Sequence, residues 1–262
     1  NKKNNNAEGS PWKNTALKIL NACVLPFQFI STCALALFDH TFGTLFRSAQ
    51  LKMNKAKISS LINLITSSND DDAIKLINKS TIHTNNVNTK IDGKTLLHWA
   101  VQMSLANTVR ALIEKGADIN IKDNTGMTPL HLAIYYNDEE TAQALIEKGA
   151  DINTQDSTGM TPLHWAVHNG HTNITQALIE KGTDINTQDN NGMTPLHWAI
   201  YNGHTNIAQA LIEKVADINI QDNTGMTPLH LAVYNGYTNI AQALLVKESI
   251  NVNTQDNNGM TP

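Results

Sequence analysis

Cysteine is nearly missing from this chain: Cys23 and Cys33 are the only two, ten residues apart in an apolar stretch. That pattern offers neither a disulfide framework nor a zinc module. Arginine is as scarce, with Arg47 and Arg110 alone against seventeen lysines. The lysines form no cluster that could track phosphates, so nucleic acid is not an expected partner. The net charge of −4 is mild, and Glu-Lys pairs at 114–115, 147–148, 180–181 and 213–214 carry much of the charge on helix faces that water solvates. Catalytic constellations are absent too. Gly93-Lys94-Thr95 echoes the end of a phosphate loop, but Asn88 stands where its first glycine belongs and no apolar strand precedes it. His164, His168 and His171 have ligand-like spacing but no cysteine or second cluster to complete a coordination shell. No catalytic, cofactor-binding or metal-binding residue is expected, and no enzyme.

Repetition fills the space these absences leave. The block Thr194-Pro195-Leu196-His197-Trp198-Ala199 returns at 128–133, 161–166 and 227–232 with small changes, each time after Gly-Met. Gly126, Gly159, Gly192 and Gly225 are 33 residues apart, and Gly93 extends the series by one period. Units of this length cannot bury an apolar face alone and are stable only when stacked, which leaves a long exposed surface.

The copy 189–221 shows what one unit builds. Asp189-Asn190-Asn191-Gly192 has the chemistry of a tight turn, with Asp accepting local backbone bonds and Gly in fourth place. Thr194 is a helix N-cap and Pro195 suits the first helical position, where its missing N–H costs nothing. The short helix carries Leu196, Ala199 and Ile200 at helical spacing and stops at Asn202-Gly203, where glycine can turn left-handed. A second helix, about Thr205 to Lys214, puts Ile207, Ala210 and Leu211 on one stripe and Gln209, Glu213 and Lys214 outside.

The unit resembles an ankyrin repeat, through Asp-x-x-Gly-x-Thr-Pro-Leu-His-x-Ala, then Gly-His, then Ala-Leu-Ile-x-x-Gly-Ala-Asp-Ile-Asn. The expected fold is therefore an all-α solenoid of helix pairs joined by β-turn loops, with an apolar, helical N-terminal segment over 1–54. The array is expected over 55–262: a degenerate first repeat at 55–89, full repeats at 90–122, 123–155, 156–188, 189–221 and 222–255, and a truncated one at 256–262. The resemblance implies that turn tips and first helices line a concave face, that the repeat histidine braces adjacent loops, and that the activity is binding an unidentified protein partner, as a monomer. Contacts in such repeats come from turn positions beside the glycine and from exposed positions late in the first helix. Carried onto this chain, the turns supply Met127, Met160, Met193 and Met226 with Thr158 and Asn191, and neighbouring Asn124, Thr125, Ser157, Asn190, Asn223 and Thr224. The helices supply Tyr135, Tyr136, His168, Tyr201 and Tyr234. The tryptophans Trp99, Trp165 and Trp198 are expected to fill gaps between units.

Departures from the pattern mark weak points. Val215 replaces the glycine of Gly116, Gly149 and Gly182, where a β-branched residue fits a left-handed turn poorly. Ser104 and Asn137 replace the interhelix glycine, and the fifth unit has one extra residue in Lys247-Glu248-Ser249-Ile250. Asn1 in place of Met and an ending inside a repeat suggest a fragment or a disrupted frame. The charge-free run from Ile19 to Phe38 leaves three readings open: a membrane anchor, a signal peptide cleaved near Ala34-Leu35-Ala36, or apolar helices at about 15–25 and 28–46 packing on the array's open end. Abundant Asn and Lys point to AT-rich codons, hence a bacterial symbiont or pathogen or a protist. Location is left open between delivery into a host cell and membrane attachment through 19–38. Two functions fit this sequence: an interaction scaffold, which could serve as an effector of an intracellular bacterium, and a recently duplicated repeat product with a structural role only.

Overall fold

In each full repeat the first helix starts at a threonine whose side chain caps its first turn. The computed structural model describes residues 56, 58–67, 70–79, 87–214 and 216–262. The expectations for 1–54, including Ile19 to Phe38, and for Val215 lie outside these residues. After a helical stretch at 58–67 come α1 (Asp70–Lys79), α2 (Leu96–Gln102), α3 (Ala106–Glu114), α4 (Pro129–Tyr135), α5 (Glu139–Glu147) and α6 (Pro162–His168). They are followed by α7 (Thr172–Glu180), α8 (Pro195–Tyr201), α9 (Thr205–Glu213), α10 (Pro228–Tyr234) and α11 (Thr238–Leu245). No strand occurs among the described residues beyond an isolated bridge between Ile91 and Lys94.

First helices α2, α4, α6, α8 and α10 stack side by side, second helices α3, α5, α7, α9 and α11 do likewise, and each pairs within its unit. The core lies between the two rows. It repeats one register: Leu97, Leu130, Leu163 and Leu196 are buried to 1% exposure or less, as are Leu112, Leu145, Leu178 and Leu211. The degenerate unit joins the same core through Ile58, Leu61, Ile65, Ala73, Ile77 and Val87.

Histidine completes the N-cap. Thr161 Oγ1 accepts from the His164 N–H at 3.4 Å, while the Thr161 N–H donates to His164 Nδ1 at 3.1 Å. His164 thus takes the part that Glu plays in an ordinary capping box, and the box recurs at every first helix from α2 to α10. Because Nδ1 accepts, Nε2 keeps its proton and donates to the Met193 carbonyl of the next unit at 3.1 Å. His98, His131, His197 and His230 reach Met127, Met160, Met226 and Met260 in the same way. The histidines brace adjacent loops, as the resemblance implied.

Two further polar ladders tie the units. Asn88, Asn120, Asn153, Asn186 and Asn219 each accept, through Oδ1, a backbone N–H from the unit that follows. Gln155, Gln188 and Gln221 donate both to the carbonyl of the turn glycine four residues on and to the glutamine carbonyl one unit on. The extra residue of the fifth unit is absorbed outside the helices, in a turn closed by the Ile250 N–H on the Lys247 carbonyl.

Candidate protein-docking face

The turns are built on an aspartate. Asp189 Oδ1 accepts the N–H groups of Asn191 and Met193 at 2.8 and 2.9 Å, and the Gly192 N–H closes the turn on the Asp189 carbonyl. Gly192 is left-handed at φ +75, and a Cβ there would sit 2.7 Å from the backbone nitrogen of Asn223. Both conformation and close approach therefore demand glycine. That approach lets the turns hydrogen-bond: Ser157, Asn190, Asn223 and Asn257 each donate a backbone N–H to a carbonyl of the turn before. Asn190, Asn223 and Asn257 add a side-chain bond to that turn.

The first full repeat differs. Lys90 stands where the other units have aspartate, and Asp92 and Gly93 are both left-handed, at φ 52 and 82. Ile91 and Lys94 exchange backbone bonds at 2.9 and 3.1 Å across them. This is the two-residue hairpin that an Asp-Gly pair favours, with positive φ at both central residues.

The methionines of the turns sit at the joints between units. Each offers its carbonyl to the preceding unit's histidine, and the side chains of Met127, Met193 and Met226 are half-buried against the core. Met160 is only 7% exposed, so its side chain presents almost no surface to a partner. Thr158 and Asn191 are exposed, and their carbonyls accept from Asn190 and Asn223 in the next turn. Tyr135, Tyr136, Tyr201 and Tyr234 are all exposed, Tyr201 at 59% and Tyr234 at 83%.

What sequence reasoning missed is how the rings join. Tyr136, Tyr135, Trp165, His168, Trp198 and Tyr201 form one chain of edge-to-face contacts, with successive centroids 5.2, 5.6, 6.0, 4.8 and 5.9 Å apart. Such contacts suit the ring quadrupoles. Trp99, Trp165 and Trp198 pack on the core as expected, and Trp165 and Trp198 also belong to this row. Their indole N–H groups donate to Asp156 and Asp189 at 2.9 Å. The readable signal was an aspartate nine residues before each of these two tryptophans. His168 is held in the row by Asn202, whose Nδ2 lies 3.2 Å from His168 Nδ1 and 3.3 Å from its carbonyl.

Charge under the row has one sign. Burial pushes the Asp156 carboxyl up, but hydrogen bonds from Thr158, Trp165 and Met160 outweigh it and hold the group below the usual carboxylate range. Burial and the neighbouring His204 hold His168 below its ordinary value, so its ring is neutral at pH 7. The face is thus an aromatic row over the carboxyl groups of Asp156 and Asp189.

A stack of turn-helix-helix units with such a face defines a helical repeat solenoid. The chain matches the family descriptions "Ankyrin repeats (3 copies)", over residues 61–156 and 153–222, and "Ankyrin repeats (many copies)", over 207–245. It belongs to the ankyrin repeat family, whose members generally mediate protein–protein interaction. No curated protein matches the chain.

Proposed function

We propose that the array is an interaction scaffold that binds a partner protein on the face made by its turns and first helices, along the row from Tyr136 to Tyr201. The observation that carries this reading is the continuous aromatic row, with Tyr135 and Tyr201 each more than half exposed. Tyrosine and tryptophan supply large contact area at little cost in side-chain entropy and are enriched in interface cores. The methionine joints contribute by fixing the spacing of the units. Near-identity of the copies favours the second reading, a duplicated array without a specific partner.

One capture experiment separates them. Tyr135, His168, Tyr201 and Tyr234, changed together to serine, leave the buried register untouched. The native chain should retrieve a partner from source-cell lysate and the variant, at unchanged helicity, should lose it. Retrieval of the same protein at undiminished affinity would overturn the assignment of the face. Retrieval of nothing by either form would favour the structural reading.

A further inference from the structure

From Asp123 to Tyr234 the turns and first helices carry Asp123, Asp156, Asp189 and Asp222 and no lysine or arginine. The nearest cation in sequence, Lys122, is already engaged, its Nζ donating to the Gln155 carbonyl at 2.7 Å. An aromatic row above carboxylates, without a positive charge of its own, is complementary to cations. Ring faces carry negative potential, and a guanidinium or ammonium within about 6 Å of a centroid is attracted to it, most strongly by indole. Donation of the indole N–H to a carboxylate, as in Trp165 and Trp198, adds electron density to those rings.

The chain itself displays the contact. In the first full repeat Lys94 Nζ lies over the ring of Trp99, 5.2 Å from its centroid, with Gln102 Oε1 accepting from it at 2.6 Å. Thirty-three and more residues on, the position of Lys94 is filled by Met127, Met160, Met193 and Met226, while Trp165 and Trp198 keep the ring. The first unit therefore supplies its own cation, and the units with Trp165 and Trp198 supply none.

We propose that the row takes the cationic side chains of an arginine-bearing segment of the partner, with guanidinium groups at Trp165 and Trp198 and the field of Asp156 and Asp189 behind them. Steps of 6.0 and 4.8 Å through His168 place the two indoles within about 11 Å of each other, a distance that three residues of extended chain, at about 3.3 Å each, come close to spanning. Arginine suits the site better than lysine because its planar group stacks on rings and sheds water more readily. The inference rests on the docking face proposed above and names the chemistry of its occupant.

The test uses the full chain and a dye-labelled synthetic peptide in which arginine recurs every third residue among serines, read by anisotropy at low and physiological salt. Binding should weaken at least tenfold when the arginines become citrulline, which keeps the shape and removes the charge. Trp165→Leu with Trp198→Leu, the residue that Leu132 and Leu231 show to be accommodated at this position, should weaken it as much. Tyr201→Lys, at an exposed site, should do so without touching the core. Equal binding of the citrulline peptide, binding indifferent to these variants, or no binding at all would overturn the inference. So would a partner, captured through this face, whose contacting segment lacks basic residues; the docking face would then stand and its cationic occupant would not.

Discussion

A buried hydroxyl shows how much a single residue depends on the unit before it. Thr108 and Thr141 occupy the same place in successive units, both fully buried. Thr108 Oγ1 donates to the Asp70 carboxylate at 2.6 Å, and Asp70 also accepts the N–H groups of Thr108 and Asn107, so the start of α3 is capped from the unit before. Thirty-three residues after Asp70 stands Met103, and Thr141 Oγ1 has no partner. In later units the position is apolar, as Ile174, Ile207 and Ile240. A buried hydroxyl without a bond is destabilising, and an isostere without the hydroxyl removes the penalty. Thr141→Val should therefore stabilise the array by about 1 kcal/mol, seen as a higher urea midpoint at unchanged slope. A lower midpoint would mean that the hydroxyl is satisfied.

Between the helices of each unit lies a left-handed residue. Gly170, Gly203 and Gly236 hold it at φ +75, +73 and +71, whereas Ser104 and Asn137 hold it at φ 55. Asparagine tolerates that conformation and serine does so poorly. Ser104 is exposed, and the bond that closes its turn uses the backbone N–H. Ser104→Gly should raise stability by about 0.5 kcal/mol, the strain relieved being partly offset by the freedom glycine gains in the unfolded chain. Thermal unfolding of the pair checks the sign. At this scale much was legible beforehand. Thr194, Pro195 and Gly203 act where local rules place them, and helix α9 ends one residue short of the expected Lys214. Contacts between units were harder to read. The Asp70 cap on α3 and the two links of the ring row that cross between units, Tyr135–Trp165 and His168–Trp198, join residues about thirty or more apart, and spacing within one unit carries no sign of them. The hairpin at Asp92-Gly93 was legible from its Asp-Gly pair, but the regular turn of the other copies masked it.

The whole array is coupled to pH through its braces. Burial holds His131 at about 4, and burial likewise keeps His98, His164 and His197 below their ordinary value. In the unfolded chain each titrates near 6.5. Between those values the unfolded state binds more protons than the folded one, so stability rises with pH there. It is full above about pH 7 and is lost as pH falls from 6.5 towards 4, by about 3 kcal/mol through His131 alone. The depressed carboxyl of Asp156 adds its loss only below about pH 4. Urea midpoints at pH 7.5, 6, 5 and 4.5 should fall in sequence, and a flat series would show that the braces carry protons when folded. Docking of a partner on the turns and first helices is read by its footprint on the array. Hydroxyl-radical footprinting of the array with and without its captured partner measures it directly. Tyr135, Trp165, Trp198 and Tyr201 should be protected, with Tyr237 and Leu245 unchanged on the second-helix side. Protection of Tyr237 and Leu245 while the row stays as reactive as in the free chain would contradict docking on this face.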